Sequence, residues 1–180
     1  KVINSKLYQE SDMLTLYGET VGMQDLKYGF VNGHIGYRLF DVYVGKPRQG
    51  RFLNFEECKA FAEEVGIERV PSLYVGEYSF EKVMEYTDGK TNYGTNKDQI
   101  REGVVIRPLN ERFVDDLGRV MLKSVSQAYK LRKGETTEYK EELAMIIEEV
   151  LKQRIIGMKN EKGVYITPAF PKLLYVLEED

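Results

Sequence analysis

The sequence predicts an α+β fold, on three observations. Three stretches read as strands: LTLYGETVG at 14–22 and GYRLFDVYVG at 36–45 by two-residue alternation, and REGVVIRP at 101–108 by its β-branched run between an acid and an Arg-Pro boundary. Between them, LNFEECKAFAEEVGI at 53–67 and SFEKVMEYT at 79–87 place apolar residues at helical spacing. The chain has 180 residues, and a domain of that size buries roughly 70% of its unfolded surface. That is enough for one domain with a small appended subdomain.

Composition narrows the class. A hydrophobic fraction of 42% with 31% charged residues fits a packed domain. No apolar run approaches the ~20 residues of a bilayer span, so no membrane segment is expected. One cysteine, Cys58, excludes an internal disulfide, and with one histidine, His34, it leaves no zinc-site spacing. A reducing, cytoplasmic location is the expectation. The net charge of −3 is not the basic footprint of a typical nucleic-acid binder. Locally the picture reverses: residues 118–134 contain Arg119, Lys123, Lys130, Arg132 and Lys133 and no acid. The chain opens on Lys1 with no signal-peptide pattern behind it, from which a true N-terminus further upstream is expected.

Residues 1–12 have no strong periodicity and read as the end of a helix. The strand at 14–22 then presents Glu19 between Gly18 and Gly22, either a turn acid or an acid with open space around it. In 36–45, alternation puts Tyr37, Leu39, Asp41 and Tyr43 on one face and Arg38, Phe40, Val42 and Val44 on the other. A carboxylate within an aromatic strand needs a partner or a task, because burying it unpaired costs several kcal/mol. Asp41 is therefore a structural ion-pair member or a binding residue, and Phe40 a core ring or a stacking one.

KPRQGR at 46–51 is a basic turn, and Asn54 is the expected N-cap of a helix whose stripe is Phe55, Cys58, Phe61, Ala62 and Val65. Cys58 on that stripe is expected to be a buried, inert thiol. VPSLYVGEY at 70–78 reads as a strand, Ser79 opens the next helix, and 87–99 is a polar loop. After REGVVIRP come a turn at Asp116 to Gly118 and one more strand over 119–129. Its alternation groups Arg119, Met121, Lys123 and Val125, so that Lys123 is either a solvated lysine or one turned inward among apolar neighbours. A long helix from Thr136 to about Arg154 and a short strand close the chain, giving expected divisions of 1–134 and 135–180.

The order LYGETVG, YRLFDVYVG, REGVVIRP, MLKSVS resembles the later motifs of the covalent nucleotidyltransferases, most closely the ATP-dependent RNA ligases. The resemblance spans roughly residues 14 to 130 and implies two antiparallel sheets flanked by helices, with adenylate held between them. It implies ATP and Mg²⁺ or Mn²⁺ as cofactors and RNA as the partner. Carried over residue by residue, Glu19 would bind the ribose hydroxyls, Phe40 would stack on adenine, and Asp41 would support the site. Glu102 would act through the divalent metal or a lysine, and Lys123 would neutralise the α-phosphate. The reaction implied is attack of a lysine on ATP, transfer of AMP to a 5′-phosphate, and its displacement by a 3′-hydroxyl. Arg107, Arg119 and Lys130 are candidates for tracking the nucleic-acid backbone, alongside the reading of a solvated basic face.

Two departures accompany the resemblance. The family's nucleophile lies in Lys-x-Asp/Asn-Gly upstream of the Glu19 position, and neither LKYGF at 26–30 nor KTNYG at 90–94 has that spacing and place. Many relatives also carry a second lysine where this chain has Val125, leaving the phosphate to Lys123. A chain lacking its nucleophile-bearing portion, a DNA-ligase or capping relative, and a non-catalytic nucleotide- or RNA-binding domain are the alternatives that these features leave.

Overall fold

A computed structural model describes residues 1–22, 35–91, 98–115, 118–132 and 163–169. They divide into two compact units, one taking in Lys1–Pro71 and Leu109–Glu111, the other the remaining described residues from Ser72. The chain is α+β with antiparallel sheets.

The first unit opens with a 3₁₀ turn, Val2–Asn4, and α1, Lys6–Gln9, where the Ser5 hydroxyl accepts from the Tyr8 N–H at 3.3 Å. Its sheet has the order β1 (Leu14–Val21), β2 (Gly36–Val44), β3 (Arg51–Phe52), each pair antiparallel. Helix α2, Phe55–Val65, lays Cys58, Phe61, Ala62 and Val65 against Leu39, Val42 and Leu53. Cys58 is a buried free thiol of that core, as its place on the stripe predicts. The helix ends at Gly66, whose φ of 66° is the left-handed C-cap conformation that glycine adopts without a Cβ penalty.

One feature of this sheet departs from simple alternation. Leu14 to Tyr17 pair with Val44 back to Asp41, but the next residue, Gly18, pairs with Leu39. Phe40 is the extra residue of a β-bulge. Strict alternation assigns Leu39 and Val42 to opposite faces; the bulge brings both into one core.

At the start of α2, Arg51 grips Glu57 through two hydrogen bonds of 2.7 Å each, and the Glu57 carboxylate also accepts from the Asn54 N–H at 2.8 Å, as in a capping box. The Arg51 hydrogen bond holds the Glu57 carboxyl below its ordinary range. A depressed folded value means stability that is present above the usual carboxylate pKa and lost as pH falls through the lowered one. The pair is solvent-exposed, so the contribution is on the order of 0.5 kcal/mol. Urea midpoints of the wild type and Glu57→Gln should therefore differ at pH 7 and converge on acidification towards pH 3.

The second unit contains β4 (Tyr74–Gly76), α3 (Phe80–Thr87), β5 (Gly103–Pro108), β6 (Phe113–Val114), β7 (Gly118–Arg119), β8 (Leu122–Val125), α4 (Gln127–Arg132) and β9 (Val164–Pro168). Ser79 caps α3 as expected, its hydroxyl accepting from the Lys82 N–H at 3.3 Å. The main sheet has the order β4-β9-β5-β8, entirely antiparallel, while β6 and β7 pair separately. Val104, Ile106, Leu122, Val164 and Ile166 form one apolar face, against which Val83 of α3 and Val120 pack.

The strand expected over 119–129 is interrupted. Residues 120 and 121 leave the ladder, and the chain turns into α4 at Gln127, whose N–H donates to the Asp88 carboxylate at 3.1 Å. The strand expected at 70–78 contracts to three residues. The helix expected from Thr136 to Arg154, the 134/135 division and the turn residues 116 and 117 lie outside the described residues. Among the described residues no helix is long and apolar enough to cross a membrane.

Candidate active site

In the second unit, alternation along β5 sends Val104 and Ile106 into the core and Val105 and Arg107 to the opposite face of the sheet. Lys123 pairs in register with Val105, and Leu122, its neighbour, is in the core. Lys123 thus stands beside buried Val105, on the face opposite the core of Val104 and Ile106, and is turned inward rather than solvated. Even there its side chain is only 12% exposed.

Glu102 precedes β5, and continued alternation would turn it away from Lys123. Gly103 breaks the pattern with a φ of +153°. A Cβ at Gly103 would fall 2.0 Å from the Ser124 carbonyl oxygen and 2.8 Å from the Val125 Cα. Only glycine fits this approach of β5 to β8, and the Ser126 N–H closes it by donating to the Glu102 carbonyl at 2.7 Å.

The result is an ion pair. Lys123 Nζ lies 2.7 Å from Glu102 Oε1, and the Glu102 side chain is 5% exposed. The other carboxylate oxygen, Oε2, is buried and has no hydrogen-bond partner. A half-satisfied buried carboxylate is costly for the fold. It is an acceptor available to an external donor or cation. Among the described residues no three His, Cys, Asp or Glu side chains cluster to hold a metal. An ion at Oε2 would take its other ligands from water and from substrate oxygens, the usual habit of Mg²⁺.

Supports surround the pair. The hydroxyls of Thr87, on α3, and Ser124, on β8 next to Lys123, lie 2.7 Å apart, and Thr87 also donates to the Val83 carbonyl at 2.7 Å. This ties α3 to the strand that carries the lysine.

The remaining candidates are distributed as follows. In the first unit Glu19 is half-buried in register with Arg38, Phe40 is the half-buried bulge residue, and Asp41 is buried opposite Tyr17. A bulge re-aims the side chains around it, and such irregularities concentrate beside functional sites. In the second unit Arg107 is 1% exposed, its guanidinium 5.6 Å from the centre of the Tyr165 ring, and Arg119 is also buried. Of the three basic candidates only Lys130 keeps partial exposure. Gly103, Thr87 and Ser124 carry no role in the sequence reading. A glycine directly after the acid was the available signal for the first, whereas the Thr87–Ser124 contact joins residues far apart in the chain and leaves none.

The family model described as RNA ligase matches residues 1–125, which contain β1, β2 and the Glu102–Lys123 pair. The chain belongs to the RNA ligase family. Comparison with curated proteins and with solved structures returned no match. Within the matched residues, Glu102 and Lys123 hold acid and cation together in a nearly dry setting.

Proposed function

We propose that the protein seals RNA ends by ATP-dependent nucleotidyl transfer, with Glu102 and Lys123 acting at the reacting phosphate. The buried pair with one unpartnered carboxylate oxygen is the observation that carries this reading. A lysine is a compact point charge, suited to neutralising a phosphate oxygen in a site from which water is largely excluded. Glu102 would hold Lys123 in place through Oε1 and offer Oε2 to Mg²⁺ or Mn²⁺. Such an ion, when bound, supplies charge neutralisation at the phosphoryl oxygens. The reading assigns Glu19 to the ribose hydroxyls, Phe40 to the adenine face and Asp41 to support of these nucleoside contacts in the first unit. The half-buried state of Phe40 at its bulge supports the assignment, because a stacking ring must keep one face clear of the core.

RNA already carrying AMP on its 5′-phosphate separates the site from the nucleophile, because its sealing requires only attack of the 3′-hydroxyl and release of AMP. Wild-type protein should join such ends, as a nick or as free strands, in the presence of Mg²⁺. Glu102→Gln should lower the rate by at least ~100-fold. Absence of sealing on both pre-adenylylated RNA and 5′-phosphate RNA with ATP would refute the proposal.

A further inference from the structure

We propose that Arg101 is a positioning residue for Glu102, holding the acid in place by clamping carbonyls of the last turn of α3 and of the segment that follows it. This rests on the sealing role proposed for Glu102.

Arg101 is 6% exposed, and its guanidinium faces no carboxylate among the described residues. Its partners are backbone oxygens. One terminal nitrogen donates to the Tyr86 carbonyl, in the last turn of α3, and the other to the Lys90 carbonyl at 2.8 Å. Its own N–H donates to the Gly89 carbonyl at 2.9 Å. Three donors of one residue therefore hold the turn 86–90. The last carbonyls of a helix have no partner within it and carry partial negative charge, which favours a cation there.

The same turn reaches the other side of the site. The Asp88 carboxylate accepts from the Gln127 N–H at the start of α4, and Thr87 meets Ser124 beside Lys123. Arg101 thus connects the approach to β5, which ends in Glu102, with the segment that buttresses β8, which carries Lys123. Glu102 lies outside the ladder of β5, where the Ser126 N–H holds its carbonyl, a backbone contact that does not by itself fix the direction of its side chain. A planar guanidinium spans two carbonyls at once, whereas an ammonium is a single point. Burial makes this arginine expensive: desolvation pulls its pKa below the ordinary arginine value, and its Nε has no partner. A residue retained on those terms suits a geometric role better than a stabilising one.

The test uses sealing of pre-adenylylated RNA by Arg101→Met and Arg101→Lys, each in the wild-type and Glu102→Gln backgrounds, with thermal unfolding measured in parallel. Misplacement of a reacting group by about 1 Å costs up to ~100-fold in rate. Arg101→Met should lower kcat by about 10–100-fold with KM within about twofold, and Arg101→Lys, which can still reach one carbonyl, by about 3–10-fold. In the Glu102→Gln background, followed over long single-turnover time courses, either change should lower the unfolding temperature as before yet leave the residual rate nearly unaltered. A rate loss of the same factor in both backgrounds, or an unchanged kcat in folded Arg101 variants, would overturn the proposal. Should Arg101→Met fail to fold, Arg101→Lys alone decides between these outcomes. Failure of the wild type to seal would instead remove the sealing role on which the inference stands.

Discussion

Lys123→Ala is expected to lose sealing of pre-adenylylated RNA by ~100-fold or more and to destabilise the protein by about 3–5 kcal/mol. Both effects follow from one fact: the Glu102 side chain, 5% exposed, would lose the partner that Lys123 gives it, and among the described residues no other side-chain hydrogen bond replaces it. Removing both charges, as in Glu102→Leu with Lys123→Met, removes the desolvation penalty along with the attraction. That double variant should recover most of the stability lost by Lys123→Ala, read as a urea midpoint, while remaining inactive. Such a dissociation marks a pair retained for chemistry. If the double variant sealed RNA at the wild-type rate, the pair would be structural only.

Gly103→Ala carries the second large effect, a loss of about 3–5 kcal/mol with sealing abolished in whatever fraction folds. The added methyl would sit 2.0 Å from the Ser124 carbonyl oxygen, and backbone, unlike a flexible side chain, cannot swing aside. The φ of +153° adds strain for any L side chain. Gly118→Ala is the matched control. Gly118 has a φ of +70° with nothing within 4 Å of the position of a Cβ, so it should cost only ~1 kcal/mol from backbone strain. Thermal unfolding of the two variants side by side separates the clash from the strain.

Local chemistry made much of this molecule legible in the sequence. The helices at 55–65 and 80–87 announce themselves through apolar spacing and through Asn54 and Ser79 at their starts. The strands β1, β2 and β5 follow from alternation and β-branched runs. Four short motifs in order resemble those of the RNA ligase family, to which the chain belongs. Alternation failed where a single residue breaks the pairing. The bulge at Phe40 moves Leu39 to the face of Val42, and no property of LFDV by itself requires it. The run 119–129 has uniform strand character, yet Asp88, on a distant segment, caps a helix at Gln127. Short β9, at 164–168, inserts between β4 and β5, a placement decided by long-range pairing.

By itself, then, the sequence determined which side chains are on offer for the proposed chemistry, because glutamate, lysine, phenylalanine and glycine declare their donors, charges, ring faces and backbone freedom in any context. It placed Glu102 at the mouth of a strand and Lys123 on another. Only the tertiary structure decided that these two side chains meet at 2.7 Å, that the second oxygen of Glu102 is left without a partner, and that Arg101 grips the end of α3. The reason is physical. The identity of a side chain sets what it can bond to, but burial and the register of non-local strands set what it is offered.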